Sequence, residues 1–302
     1  MTDLLFVYGT LRNQEANHFY LDEAELITEQ AWTKGRLYTS PSYYPVLKDE
    51  EAVVYGELYG INEEILKKVD ELEGFVVGGE SNLYDREIRT IHTETGEKEA
   101  FVYYLSSRND ELAGKEIEHG DWRLHQLLLE DDLYYFAYGS CMDDERFRLA
   151  GVEGYFQEKV GRGVLKGYGL QFSFHVHDGG RADIIEAEGS EVEGILYKVP
   201  MGAIDYLFQR EGVHTDSYRP TVVSVAHSDG VLPNVLTFYV KDKQPDKAPP
   251  LHYAREIHRG GLPHLSEAYI TMLEKRFTET FKVEGFEKYL SQANREQTGE
   301  DK

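Results

Sequence analysis

The chain has 302 residues, 41% hydrophobic and 13% aromatic, which fits one large domain or two of ordinary size with real cores. A formal charge of −23 repels phosphate backbones and anionic lipid surfaces, so neither nucleic acid nor a membrane is an expected partner. The single cysteine, Cys141, excludes a disulfide framework and a cysteine-based zinc site and fits a reducing compartment.

The opening residues carry no basic stretch, and no run approaches the roughly 20 apolar residues of a membrane span, so a soluble, cytoplasmic protein is expected. Leu4–Arg12, "LLFVYGTLR", reads as an apolar strand that stops at a Tyr8-Gly9-Thr10 turn. Ala52–Ile61 is β-branched and aromatic, hence a second strand. Asn62–Gly74 reads as a helix, with Asn62 as N-cap and Gly74 as stop. A strand around Ala100–Leu105 follows, and the acidic Glu130–Asp132 forms a plausible joint. Leu133–Met142, "LYYFAYGSCM", then repeats the opening pattern. Val192–Val199 is a strand, Pro200–Gly212 a helix, Leu236–Val240 a strand and His264–Phe277 an amphipathic helix. The polar tail from about Gln292 is expected to fray.

These elements repeat in order. Tyr8-Gly9-Thr10 pairs with Tyr138-Gly139-Ser140, Gly56–Tyr59 with Gly194–Tyr197, and Glu73-Gly74 with Glu211-Gly212. Tyr84 pairs with Tyr218, and Ala100–Leu105 with Leu236–Val240. A repeat of domain size implies two homologous domains, 1–129 and 130–302, each α+β and richer in strand.

Each half places one carboxylate where the helical period expects an apolar side chain. Glu73 lies four residues after Val69 and seven after Leu66; Glu211 lies four after Leu207 and seven after Ile204. Burial raises a carboxyl pKa and suits it to general acid/base work. A glutamate that merely ends its helix in solvent is the bland alternative; the matched position in both halves favours chemistry. The Tyr-Gly-Ser/Thr turn can present successive N–H groups to a carboxylate or an oxyanion, although glycine alone also explains a turn. His175 and His177 share a strand face, but no further ligand completes a metal site.

At these residues the chain resembles the γ-glutamylcyclotransferase superfamily. The second half is similar to the γ-glutamylcyclotransferase proper in "FAYGSCM", "GGRADI", "GSEVEGILYKV", "REGVHTDSYRPTVVSV" and "YAREIHRGGLPHLSEAY". The first is similar to the AIG2-like, γ-glutamylamine cyclotransferase branch in "FVYGTLR", "YYPVL", "VYGELYGI", "VDELEG" and "NLYDRE". The resemblance implies two tandem small mixed β-barrel-like domains flanked by helices. It also implies cyclisation of a γ-glutamyl group to 5-oxoproline with release of the attached amine, without cofactor or metal. It places the catalytic carboxylates at Glu73 and Glu211. Substrate binding falls to Tyr8, Gly9, Thr10 and Leu11, and to Tyr138, Gly139, Ser140, Cys141 and Met142. Tyr84 and Tyr218 either line the pockets or only pack. Cys141 stands where the larger branch has asparagine. A covalent role for it is disfavoured, because the first half has Leu11 there and the cyclisation needs no nucleophile. The insert Phe75–Asn82 either reshapes or covers the first site. The alternatives to an enzyme are a metabolite-binding protein using the same pockets and a scaffold in which one domain supports the other.

Overall fold

The computed structural model describes residues 3–298. The chain forms two compact units, Met1–Leu129 and Glu130–Lys302. The first contains β1 (Asp3–Val7), β2 (Glu25–Thr39), β3 (Pro45–Ile61), α1 (Glu63–Leu72), β4 (Tyr84–Thr93), β5 (Gly96–Leu105) and α2 (Trp122–Leu127). The second contains β6 (Asp132–Ala137), α3 (Asp144–Ala150), β7 (Glu158–Val176), β8 (Gly179–Pro200), α4 (Ile204–Arg210), β9 (Tyr218–His227) and β10 (Gly230–Val240). Helices α5 (Leu251–Gly261), α6 (Glu267–Lys275) and α7 (Phe286–Thr298) complete it.

Each unit closes a barrel with the same strand order, β1-β3-β2-β4-β5 in the first and β6-β8-β7-β9-β10 in the second. One parallel contact closes each ring, Leu5 beside Phe101 and Tyr135 beside Leu236. Closure leaves no open sheet edge. The barrel interior holds Phe6, Leu37, Leu47, Val54, Leu58, Val102 and Trp122, while Leu5, Val7, Tyr59, Ile65 and Val69 pack under α1. In the second unit Phe136, Phe147, Phe172, Tyr197, Phe277 and Phe286 are fully buried.

Two repeated glycines have steric causes. A Cβ on Gly56 would stand 2.3 Å from the Val7 carbonyl, and one on Gly194 would stand 2.4 Å from the Ala137 carbonyl. Only glycine lets β3 and β8 run that close to the strand ends from which the Tyr-Gly turns spring. Gly74 and Gly212 end α1 and α4 at φ of +62° and +65°, in the left-handed region. Asn62 caps α1, its side chain accepting from the Ile65 N–H at 2.9 Å. Burial of Ile65 and Val69 holds that helix to the barrel, at about 2 kcal/mol per side chain.

Three expectations need adjustment. The helix expected from His264 begins at Glu267, because Ser266 caps it and its N–H and hydroxyl are both tied to Glu193 at 2.7 Å. The stretch from Gln292, expected to fray, is helical to Thr298 as the end of α7, while 299–302 lie outside the described residues. Helix α5, whose residues carry part of the family resemblance, was not expected as a helix; its first turn follows Pro249-Pro250, a common entry to a helix.

One repeated pair has diverged. The Tyr59 hydroxyl donates to Glu57 at 2.9 Å. At the matching place in the second barrel, Ile195 replaces Glu57, and the buried Tyr197 hydroxyl has no hydrogen-bond partner among the described residues. Tyr197→Phe is therefore expected to be neutral or to stabilise by up to ~1 kcal/mol, whereas Tyr59→Phe costs about 1–3 kcal/mol. Calorimetric unfolding of the two variants checks this, and comparable losses in both would contradict it.

Candidate active sites

Each barrel has a cavity at the end where the first strand runs into its Tyr-Gly turn. The first cavity, about 350 Å3, is lined by Tyr8, Gly9, Thr10 and Leu11 from the turn, and by Glu73, Tyr84 and Tyr103. Tyr43, Tyr44 and Pro45 form part of its wall. The second, about 260 Å3, is lined by Tyr138, Gly139, Ser140 and Cys141, and by Glu211, Tyr218 and Tyr253. Arg146, Arg181 and Arg210 face it too. Strand, turn and helix end thus bring together residues about 65 to 80 positions apart, in the same way twice.

The turns are built alike. The Arg12 N–H returns to the Gly9 carbonyl at 3.0 Å, and the Met142 N–H to the Gly139 carbonyl at 3.1 Å. Among the described residues no backbone carbonyl takes up the N–H groups of Thr10, Leu11, Ser140 or Cys141. These are the donors an anion would meet. Met142, expected among the binding residues, does not line the cavity. Its N–H closes the turn and its side chain is buried, packed where Gly260 of α5 leaves room for the Met142 backbone.

The tyrosines of the two turns are structural anchors as well as lining. The Tyr8 hydroxyl donates to the Tyr103 carbonyl at 2.8 Å, and the Tyr138 hydroxyl to the Phe238 carbonyl at 2.6 Å. Each pins its turn to the last strand of its barrel. Tyr218 donates to the Ala182 carbonyl at 2.7 Å, while Tyr253 accepts from the Ala182 N–H at 3.1 Å, so both hold β8 and line the cavity at once. Tyr84 lines the first cavity and is also packed in the core of its unit beside Leu5, Val7 and Tyr103. The question of lining or packing therefore resolves to both for Tyr218 and for Tyr84.

Glu73 and Glu211 are half-buried residues that end α1 and α4 and present their carboxylates to the cavities. Burial alone pushes the Glu73 carboxyl up to about 7. Burial also raises Glu211, but the Arg210 charge, a hydrogen bond from Cys141 and the Arg146 charge pull it back. The Cys141 thiol donates to Glu211 Oε1 at 3.4 Å, and burial holds it in the thiol form despite Arg210. Arg210 donates from Nε to Cys141 Sγ at 3.2 Å and from Nη2 to Ser140 Oγ at 3.0 Å. In the first unit Leu72 and Leu11 occupy the places of Arg210 and Cys141.

The raised Glu73 pKa has a stability consequence. The folded state binds this proton more tightly than the unfolded chain, whose glutamate titrates near 4.3. The full benefit is present below the unfolded pKa, and it is lost as pH rises through about 7. Glu73→Gln is expected to stabilise the first unit by up to ~3 kcal/mol at pH 8 and to change little at pH 4. Both tryptophans of the chain, Trp32 and Trp122, lie in that unit, so tryptophan fluorescence during urea unfolding reports it selectively. Equal effects at the two pH values would argue against a buried, titrating carboxyl.

The insert Phe75–Asn82 does not line the first cavity. It folds on itself, with the Asn82 side chain accepting from the Val76 N–H at 3.0 Å and donating to the Val76 carbonyl at 3.1 Å. His175 Nε2 lies 2.8 Å from the Pro245 carbonyl, a backbone contact that explains its place without a ligand. No group of three possible metal ligands converges among the described residues. Arg146, Arg181, Arg210 and Tyr253 were not expected at the site. Arg210 adjoins Glu211 in sequence and could have been found there; the others arrive from α3, β8 and α5, with no shared spacing to announce them.

The chain is similar to known proteins in sequence and in fold. Residues 5–124 match the family described as gamma-glutamyl cyclotransferase, AIG2-like, and residues 191–273 match the AIG2-like family. The Bacillus subtilis protein named "Putative gamma-glutamylcyclotransferase YkqA" is 41% identical over 280 residues, covering 91% of this chain and 97% of its own length. The crystal structure of YkqA superposes with a TM-score of 0.82 at 39% identity, over 92% of this chain and 98% of that one. Gamma-L-glutamyl-butirosin B gamma-glutamyl cyclotransferase of Niallia circulans is 40% identical over 124 residues, which are 41% of this chain and 77% of that protein. No helix among the described residues is long and apolar enough to cross a membrane. With two matched family domains in tandem and a relative aligned over nearly its whole length, the chain belongs to the γ-glutamylcyclotransferase family.

Proposed function

We propose that the chain cyclises γ-glutamyl amines or γ-glutamyl amino acids to 5-oxoproline at one or both cavities, with Glu73 and Glu211 as general acid/base. The observation that carries this reading is the pairing, in both barrels, of a glutamate whose pKa burial raises with a turn that offers uncommitted N–H groups to the same cavity. The Niallia circulans relative, named a gamma-L-glutamyl-butirosin B gamma-glutamyl cyclotransferase, supports the same class of reaction.

The substrate brings its own nucleophile. Its α-ammonium gives a proton to the glutamate, and the free amine attacks the γ-carbonyl carbon of the same glutamyl group. The new C–N bond closes the five-membered ring, and charge moves to the carbonyl oxygen. The N–H groups of Thr10 and Leu11, or of Ser140 and Cys141, are the donors for that oxyanion. The glutamic acid then returns the proton to the leaving nitrogen, the original amide bond breaks, the ring nitrogen gives up its second proton through the glutamate to the departing amine, and 5-oxoproline and the protonated amine leave. Folding the substrate into the cyclising conformer supplies proximity, so no covalent enzyme intermediate is required. A carboxyl near neutrality suits a group that must first take and then give a proton.

The test is 5-oxoproline release from a panel of γ-glutamyl substrates. Release is expected from at least one member; a folded protein that binds panel members without release would move the reading to metabolite binding. The two sites should also differ in pH profile. With only Glu73 working, in a Glu211→Gln variant, kcat/KM should rise with pH through about 7, since the base must be ionised. With only Glu211 working, the rise should come at lower pH, because Arg210 and Arg146 favour the carboxylate. Coincident profiles would contradict the electrostatic difference between the sites.

A further inference from the structure

We propose that the second cavity selects its substrate by carboxylates on the leaving group, through Arg181 and Arg146, and that it prefers a γ-glutamyl amino acid whose leaving portion is itself a dicarboxylate. This rests on the reaction proposed above.

In a chain of net charge −23, three arginines line one small cavity beside a single carboxylate, Glu211. The first cavity is lined by Glu73 and by no arginine or lysine. Both cavities would hold the same glutamyl end, and both turns offer the same N–H groups to it. The arginines are therefore not required by the glutamyl end; they answer to the part of the substrate that differs, the leaving group.

Arg210 is accounted for by its bonds to Ser140 and Cys141 of the turn. The other two have capacity left. Arg181 donates from Nη2 to Asp178 at 2.7 Å and from Nη1 to the Gly180 carbonyl at 3.3 Å, with its guanidinium 4.9 Å from the Tyr253 ring centre. Arg146 gives Nη2 to Glu256 at 2.5 Å, while its Nε is buried with no hydrogen-bond partner among the described residues. Neither Asp178 nor Glu256 lines the cavity, so these acids fix the arginines from behind. A guanidinium has five N–H donors in a planar fork that matches a carboxylate. Two forks held in place, one of them with an orphaned buried N–H, make a receptor for two carboxylates.

The experiment uses the full chain carrying Glu73→Gln, so that release reports the second site. Three substrates are compared: γ-glutamyl-ethylamine, γ-glutamyl-alanine and γ-glutamyl-glutamate, whose leaving groups carry no, one and two carboxylates. The expected kcat/KM rises about tenfold or more with each carboxylate, mainly through KM. Adding Arg181→Gln should collapse the order, and Arg181→Lys should restore part of it. Equal kcat/KM for the ethylamine and alanine substrates, or an order that Arg181→Gln leaves intact, overturns the proposal. If none of the three releases 5-oxoproline, the catalytic reading fails by itself. Selectivity is then read by calorimetric binding of the same compounds to the Glu73→Gln, Glu211→Gln protein with and without Arg181→Gln. An order of affinity that follows carboxylate number and needs Arg181 upholds it, and any other order refutes it.

Discussion

Replacing both Glu73 and Glu211 by glutamine is expected to lower 5-oxoproline release by about 10^2- to 10^4-fold, the usual contribution of a positioned general acid/base. Each glutamine keeps the shape of the side chain and the end of its helix, so folding and substrate binding should survive. The single variants divide the activity: whatever remains in Glu73→Gln belongs to the second cavity, and whatever remains in Glu211→Gln belongs to the first. Loss of release in only one of them would mark the other copy as a binding or vestigial site. Retained turnover in the double variant, with the protein folded, would remove both carboxylates from the mechanism. The effect should fall on kcat more than on KM, because the proton moves only on the way to the transition state.

Arg12→Met should destabilise the first unit by about 3–5 kcal/mol, the cost of leaving the buried Asp121 without its cation and Glu57 with only Arg123, 3.9 Å away. Arg12 is almost fully buried and donates to Glu57 at 3.1 Å and to Asp121 at 2.8 Å. Burial works against its charge, but Asp121 and Glu57 outweigh that and hold the guanidinium firmly protonated. Glu57 also accepts from the Asn13 N–H at 2.7 Å, and Asp121 caps α2 through the Leu124 N–H at 3.2 Å. This network ties the first turn to β3 and α2. The second barrel solves the same problem without charge: Met142 and Ile195 stand in the places of Arg12 and Glu57. The triple variant Arg12→Met, Glu57→Ile, Tyr59→Phe should therefore recover part of the loss, since it removes the Glu57 charge and the hydroxyl that depends on it, while Asp121 still lacks Arg12. Urea unfolding followed by tryptophan fluorescence reads both variants. A triple variant no better than Arg12→Met would show that the ionic network has a role the apolar one does not replace.

Much of this protein was legible from local rules. The repeat of Tyr-Gly-Ser/Thr turns, strand glycines and helix-ending Glu-Gly pairs implied two copies of one domain, and the period of α1 and α4 put Glu73 and Glu211 against the apolar face. Such features depend on near neighbours: a side chain's place on a helix follows from residues three and four away, and a helix stop follows from one left-handed glycine. The tertiary structure alone decided what the two carboxylates face. Closing the barrels brings Arg146, Arg181 and Tyr253 from α3, β8 and α5 onto the second cavity, and leaves the first walled by Tyr43, Tyr44 and Tyr84. It also turned Met142 away from the site and set Cys141 against Glu211. The reason is that these contacts join residues far apart in sequence, with no periodicity linking them, so their electrostatics exist only once the barrel has closed.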